Sequence, residues 1–347
     1  MKRIKLAIIG LGMAVAPHAK SLADLGDRVE VAAAFSPSAA RREAFAASTG
    51  YPASDSIERI LDDPSITAVL LLTPPNTHLD LVRRAAAAGK HILLEKPLET
   101  SLARAEAVVA AAEAARVKLG IVLQHRFRPV ARALAETMQR NDLGALVSAS
   151  ARLYNWRPQS YYDQPGRGTK TRDGGGVLLT QAIHTLDLLI SLVGLPEEVV
   201  GYCTTSIMHR METEDLAMGA MRFAHGALGS IGATTCAYPG FPDGIDIIGS
   251  KGTVRLDGAR LQLQLHDGTS RVIDDEDKIG GAGADPMAFT HHHHRALIAD
   301  FLSAIENDAV PRIAGREALK AHYLIEAMLR SSQTGRAVSV TEISQAT

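Results

Sequence analysis

Cysteine is scarce: Cys203 and Cys236 are the only two among 347 residues. No disulfide framework holds such a chain, and a reducing compartment is expected. Aromatic residues make up 4 % with a single tryptophan, so any local gathering of them is informative. Charge of one sign is missing too. The net charge of -1 excludes a dedicated nucleic-acid surface. No apolar run approaches the roughly 20 residues that span a bilayer. Lys2, Arg3 and Lys5 ahead of an apolar stretch resemble a secretory leader, but cleavage there would remove a strand and a glycine turn that the rest of the pattern needs. The expected compartment is the cytoplasm.

What is present begins with Leu6 to Ile9, an apolar run that meets Gly10-Leu11-Gly12-Met13-Ala14. Gly10 permits a tight strand-to-helix turn, and Gly12, without a Cβ, lets backbone approach a pyrophosphate. The following helix directs its unpaired N–H groups at the phosphates. Val15 replaces the third glycine of the usual fingerprint, which sets helix and strand slightly further apart. After this turn, apolar strands alternate with helices: Val29 to Phe35, Thr67 to Leu72, His91 to Glu95 and Val117 to Leu123. That rhythm predicts a doubly wound parallel sheet. Ligands of such sheets bind beyond the carboxyl ends of the strands, where Gly10, Ser36, Thr73 and Lys96 all fall. A nicotinamide dinucleotide is therefore expected. Its candidate contacts are Gly10, Leu11, Gly12, Met13, Ala14, Ser36, Arg41, Thr73, Pro74, Asn76, His78, Glu95 and Lys96. Ser36 stands where an acid would accept from an adenine ribose, and Arg41 and Arg42 follow. A hydroxyl beside guanidinium groups suits a 2′-phosphate, so NADP(H) is favoured over NAD(H). The same residues also fit a plain helix cap with solvated arginines.

The length predicts two domains, 1–123 for the nucleotide and 124–347 for a substrate-binding and oligomerising α/β domain. In the second, Asn155 to Tyr162 gathers Trp156, Arg157, Tyr161 and Tyr162. Rings mixed with amide and guanidinium donors suit a carbohydrate, and equally a loop packing its own aromatics. Asp173-Gly174-Gly175-Gly176 leads into a helix carrying Thr180, His184 and Asp187 on one face. The glycines allow close approach to a nicotinamide or substrate. His184 has the residue type of a general acid–base, or of a structural core histidine. Tight turns at His225-Gly226, Asp257-Gly258 and Asp267-Gly268 separate alternating strands from Val199 onward, predicting an antiparallel sheet. Helices over about His293 to Glu306 and Gly315 to Arg330 are expected to cover its near side. Its other face suggests homo-oligomerisation through the sheet. His291 to His294 form no ligand pattern and nothing nearby supports them, so no metal is expected. Gly280 to Gly283 reads as a mobile loop.

Gly10-x-Gly12 with His18, Thr73-Pro74-Pro75-Asn76-Thr77-His78, Gly89-Lys90-His91 running into Glu95-Lys96-Pro97, and Gly174-Gly175-Gly176 before His184 and Asp187 together resemble the glucose–fructose oxidoreductase / inositol dehydrogenase / MocA (Gfo/Idh/MocA) family over nearly the whole chain. The resemblance implies a Rossmann domain, then an α/β domain with an open, mainly antiparallel sheet. It also implies NAD(P)-dependent hydride transfer to or from sugars, polyols or their derivatives. Lys96 would bind the reacting hydroxyl and His184 would move its proton. Arg126, Trp156, Arg157, Tyr161, Thr180 and Asp187 would contact substrate. Many relatives carry aspartate where Thr180 stands, which leaves the role of that acid open. Two alternatives remain: an NAD-using glycosidase-like member, and a non-catalytic sugar sensor.

Overall fold

The computed structural model describes residues 3–276, 282–283, 285 and 289–345. The chain divides into two compact units, 1–124 with 291–319, and 125–290 with 320–347.

The first unit contains β1 (Ile4–Ile9), α1 (Val15–Asp24), β2 (Val29–Phe35), α2 (Ala39–Thr49), β3 (Ala53–Ser54), α3 (Ile57–Asp62), β4 (Ala68–Leu71), α4 (His78–Ala87), β5 (His91–Glu95), α5 (Leu102–Ala114) and β6 (Leu119–Val122). Its six described strands are parallel in the order β3-β2-β1-β4-β5-β6. Helices on both faces require the central strands to be apolar throughout, and β4 is buried at every position. Local signals set the helix boundaries. Ser38 and Ser101 accept N–H bonds from Arg41 and Arg104 at the starts of α2 and α5, and Gly50 ends α2 at φ 73°.

The helix over His292–Glu306 belongs to this unit. It packs on α1 and places Phe301 against Gly120 of β6. Sequence pattern alone places it over the other sheet. An apolar stripe reveals that a helix needs cover without revealing whose.

The second unit contains α6 (Pro129–Gln139), β7 (Leu146–Tyr154), α7 (Gln159–Tyr162), α8 (Ile183–Val193), β8 (Glu198–Thr204), β9 (Leu216–Arg222), β10 (Leu228–Thr234), β11 (Gly244–Gly249), β12 (Gly252–Asp257), β13 (Arg260–Leu265) and β14 (Ser270–Asp274). With Val338–Ser339 as ninth strand, the described sheet runs β14-β13-β12-β11-β7-β10-β9-β8 and then that short edge. It is mixed rather than wholly antiparallel. β7 comes first in sequence but lies mid-sheet, parallel to β10 and antiparallel to β11. The helix over Gly315–Thr334 covers β8 and β9. Met328 fills the space above Gly201 and Gly219, and Ser331 accepts the Gly201 N–H. The loop expected at Gly280 to Gly283 falls partly outside the described residues.

Candidate active site

In the first unit, Gly10 adopts φ 108°, and a Cβ there would lie 2.7 Å from the Leu72 carbonyl carbon. The turn therefore presses on the end of β4, and only glycine fits. A Cβ on Gly12 would meet nothing within 4 Å. The N-terminus of α1 has Ala14 as its cap residue, with no side-chain hydrogen bond. An open cradle at an uncapped helix start suits a pyrophosphate.

Ser36 follows β2 and is buried. Its Oγ accepts the Ser38 N–H at 3.3 Å, while Arg42 donates to its carbonyl at 2.7 Å. Arg41 is exposed. Thr73, Pro74 and Asn76 form the loop beyond β4, with Thr77 donating to Thr73 Oγ1 at 2.7 Å. His78, expected to touch the cofactor, is instead wholly buried. Nδ1 faces the carbonyls of Pro97 and Leu98 at 3.0 and 3.2 Å, and Nε2 faces Thr73 O at 2.9 Å. Burial lowers its pKa, against the pull of those carbonyls. It joins the loop after β4 to the one after β5. Lys96 stands half-buried at the end of β5. The carboxylate of Glu95 accepts the Lys96 N–H at 3.0 Å through Oε2 and meets His18 Nε2 at 2.9 Å through Oε1. Both of its oxygens are thus engaged by its own chain.

In the second unit, the glycines before His184 approach protein rather than standing open. A Cβ on Gly176 would fall 1.8 Å from the Glu214 carbonyl oxygen. Glu214 accepts from Val177 N–H through its backbone, and from Gly176 and Leu178 N–H through its carboxylate. Burial raises the Glu214 pKa, opposed by those N–H groups. Leu178–Ala182 is a π-helical turn, and α8 follows it. Such turns recur at functional sites because they shift the phase of a helix. Thr180 Oγ donates to Gly176 O at 2.7 Å. His184 is half-exposed, its ring stacked on His125 at 4.7 Å and 24°.

Asp187 and Arg126, expected among the substrate contacts, are both buried and close on each other through two bonds of 2.6 and 2.7 Å. Arg157 is buried as well, donating to the carbonyls of Trp156, Ala282 and Gly283. Burial lowers its pKa. Tyr161 accepts from Arg167 at 2.8 Å with that guanidinium above its ring, and Trp156 stands edge-on to Tyr238. The aromatic loop therefore packs largely on neighbouring segments of its own unit.

Sequence reasoning missed His125 as a partner of His184. It also missed Asp243, which binds Arg128 at 3.0 Å and lies 3.4 Å from His125. No spacing rule links residues that far apart. Two donor clusters went unseen as well: His18, Glu95 and His294, and His209, Asp215 and Cys236 each bring ligand atoms within 4.8 Å. In the second, His209 sits between Asp215 and the Arg157 carbonyl, an internally bonded group.

A glycine turn at the carboxyl end of a sheet ordered 3-2-1-4-5-6, with Lys96 just after β5, is the arrangement of a dinucleotide-binding Rossmann unit. A family model for the Gfo/Idh/MocA oxidoreductases, NAD-binding Rossmann fold, matches residues 4–122, and that family's C-terminal domain matches 131–255. The chain belongs to the Gfo/Idh/MocA family. It is 30 % identical over 316 residues to the 1,5-anhydro-D-fructose reductase of Ensifer adhaerens, covering 90 % of this chain and 91 % of the relative. Identity to the myo-inositol 2-dehydrogenase of Thermotoga maritima is 26 % over 349 residues, covering 98 % and 99 %. Among solved structures, the WlbA dehydrogenase from Bordetella pertussis in complex with NADH and UDP-GlcNAcA matches with a TM-score of 0.83 at 29 % identity, covering 97 % and 99 %.

Proposed function

We propose that the enzyme oxidises or reduces a carbinol or ketone of a sugar, polyol or sugar derivative, with Lys96 and His184 as its catalytic residues. The supporting observation is the placement of Lys96. It follows β5 at the same carboxyl end of the sheet as the Gly10 turn, with its own N–H pinned by Glu95. Gly12 and the start of α1 hold the pyrophosphate, and the bound nicotinamide supplies the hydride acceptor or donor. The Lys96 ammonium donates a hydrogen bond to the reacting oxygen and steadies negative charge there. His184 takes the hydroxyl proton in oxidation and returns it in reduction. The stacked His125 ring holds the plane of that imidazole. Thr180, Trp156 and Tyr161 are the proposed substrate contacts, with Arg126, Arg157 and Asp187 as their support.

Ser36 and the exposed Arg41 favour NADP(H), although NADH occupies the WlbA relative. The far face of the nine-stranded sheet exposes Tyr202, Met218, Leu228 and Ile248 and holds a cavity of about 320 Å³ beside Arg152 and Asp246. A second copy covering it would form the homodimer or homotetramer, measurable by light scattering. The free thiols Cys203 and Cys236 suit the cytoplasm. Among the described residues no helix is long and apolar enough to cross a membrane.

Turnover with NADPH or NADH on 1,5-anhydro-D-fructose, myo-inositol and related keto-sugars tests the assignment. K96M and H184N are each expected to lose about 10²–10⁴-fold in kcat while nucleotide Kd stays near wild type, with the double variant little worse than either. Equal losses in kcat and Kd would remove the catalytic roles. Tightly held nucleotide that is never net consumed would favour the glycosidase-like alternative.

A further inference from the structure

We propose that His18 is a positioning residue for Lys96, acting through Glu95. This rests on the assignment of Lys96 as the group that meets the reacting oxygen. His18 lies in α1 and is wholly buried. Its Nε2 faces a carboxylate oxygen at 2.9 Å and so carries the ring proton, donating it to Glu95 Oε1. Nδ1 has no hydrogen-bond partner among the described residues. An imidazole with one nitrogen unpaired in a core costs stability that a leucine of similar size would not. What the imidazole supplies in return is a hold on the carboxylate.

That hold passes directly to Lys96. With Oε1 fixed by His18, Oε2 accepts the Lys96 N–H at 3.0 Å. The bond fixes the peptide between the two residues, and with it the direction in which the lysine side chain leaves the backbone. His294 sets the plane of the His18 ring from its edge, at 5.0 Å and 84°. On the other flank, His78 grips the carbonyls of Pro97 and Leu98. A lysine stem has four torsions and little order of its own, so a fixed starting direction matters more to it than to a shorter side chain. His18, Glu95 and His294 are also donor types that a divalent metal accepts. The 2.9 Å contact is nonetheless of hydrogen-bond length, and positioning requires no ion.

The test uses the full-length enzyme with H18L, H18Q and K96M. H18L keeps the bulk and removes the donor, whereas H18Q puts an amide N–H near the place of Nε2. H18L is expected to lose about 10- to 100-fold in kcat, the scale of a displaced catalytic group, with NADPH Kd within about twofold of wild type. H18Q should recover most of that loss. Should H18L fail to fold, E95D withdraws the carboxylate from both partners by one carbon–carbon bond and should show the same split between kcat and Kd. The proposal is overturned by a folded H18L with wild-type kcat, or by equal losses in H18L and H18Q. Loss of Kd in step with kcat would also overturn it, as would stoichiometric zinc in the wild type that H18L lacks. K96M separates the two levels. An active K96M removes the role of Lys96 itself, whereas an inactive K96M beside an unaffected H18L removes only that of His18.

Discussion

Gly176→Ala tests what the glycines before His184 are for. The residue has no positive φ, so the whole cost of the added methyl is steric. Its Cβ would lie 1.8 Å from the Glu214 carbonyl oxygen and 2.6 Å from the carbon and nitrogen of the same residue, all of them backbone atoms. Real Cβ contacts stop near 3.0 Å, so the two segments must part by at least about 1.2 Å, the difference between 3.0 and 1.8 Å. Three bonds then open together: Val177 N–H to Glu214 O at 2.8 Å, and Gly176 and Leu178 N–H to the carboxylate at 3.1 Å each. At about 1 kcal/mol each, plus a buried carboxyl stripped of donors, the loss is about 3–5 kcal/mol. For a cooperative unit of this size that lowers Tm by roughly 6 to 20 °C in scanning calorimetry. Gly175→Ala meets Leu179, whose Cδ2 at 3.1 Å can rotate away but whose Cβ at 2.9 Å must shift by about a tenth of an ångström or more, and should cost about 1–2 kcal/mol. Gly174→Ala faces the left-handed φ of 77° and should cost about 1–2 kcal/mol through strain. A loss at Gly176 well above the other two is the signature. A G176A enzyme that melts within about 3 °C of wild type but no longer binds NADPH would refute the reasoning and place the close approach at the ligand.

Asp243 binds Arg128, His125 and Thr185 in the core. Burial alone would raise its carboxyl, but Arg128 and His125 outweigh that and hold it well below the usual range. Stability from this group is full above the unfolded value of about 4 and is lost as pH falls below it. D243N should cost about 3–5 kcal/mol at pH 7 by stranding Arg128, and should flatten the acid limb of a Tm-against-pH curve. Burial pushes His322 down to about 4. The unfolded histidine binds its proton first, so stability falls by about 3 kcal/mol as pH drops from about 6.5 toward 4. H322N should lack that decline, and an unchanged curve would count against it. S36D should lower the ratio of kcat/KM for NADPH over NADH by at least about tenfold, equivalent to about 1.4 kcal/mol; an unchanged ratio would remove Ser36 from cofactor choice.

The parallel half was legible because its signals are local and mutually consistent. β2 and β5 occupy Val29–Phe35 and His91–Glu95, the spans their apolar runs predict, and the Gly10 turn opens α1 where the dinucleotide reading requires. The other sheet was legible as hairpins but not as an order. β7 enters mid-sheet through pairings with strands far along the chain, and periodicity carries no information about partners. The helix over His292–Glu306 was misassigned for the same reason. An amphipathic face looks alike whichever sheet it covers.

The site residues divide along a line that sequence could not draw. Lys96, Thr180, His184, Trp156 and Tyr161 are half-exposed, whereas His78, Arg126, Arg157 and Asp187 are buried and bonded within the chain. Both groups include a histidine, because a hydrogen bond that fixes a loop and one that binds a ligand draw on the same donors and acceptors. Asp187 illustrates the difference. Three residues after His184 on one helix, it reads as a partner for substrate, yet both its oxygens are taken by Arg126 at 2.6 and 2.7 Å. Asp187→Asn should therefore act first on stability, by stranding a buried guanidinium at about 3–5 kcal/mol. Where the protein still folds, KM for the sugar should move far less than Tm, and the opposite pattern in calorimetry and steady-state kinetics would return Asp187 to the substrate.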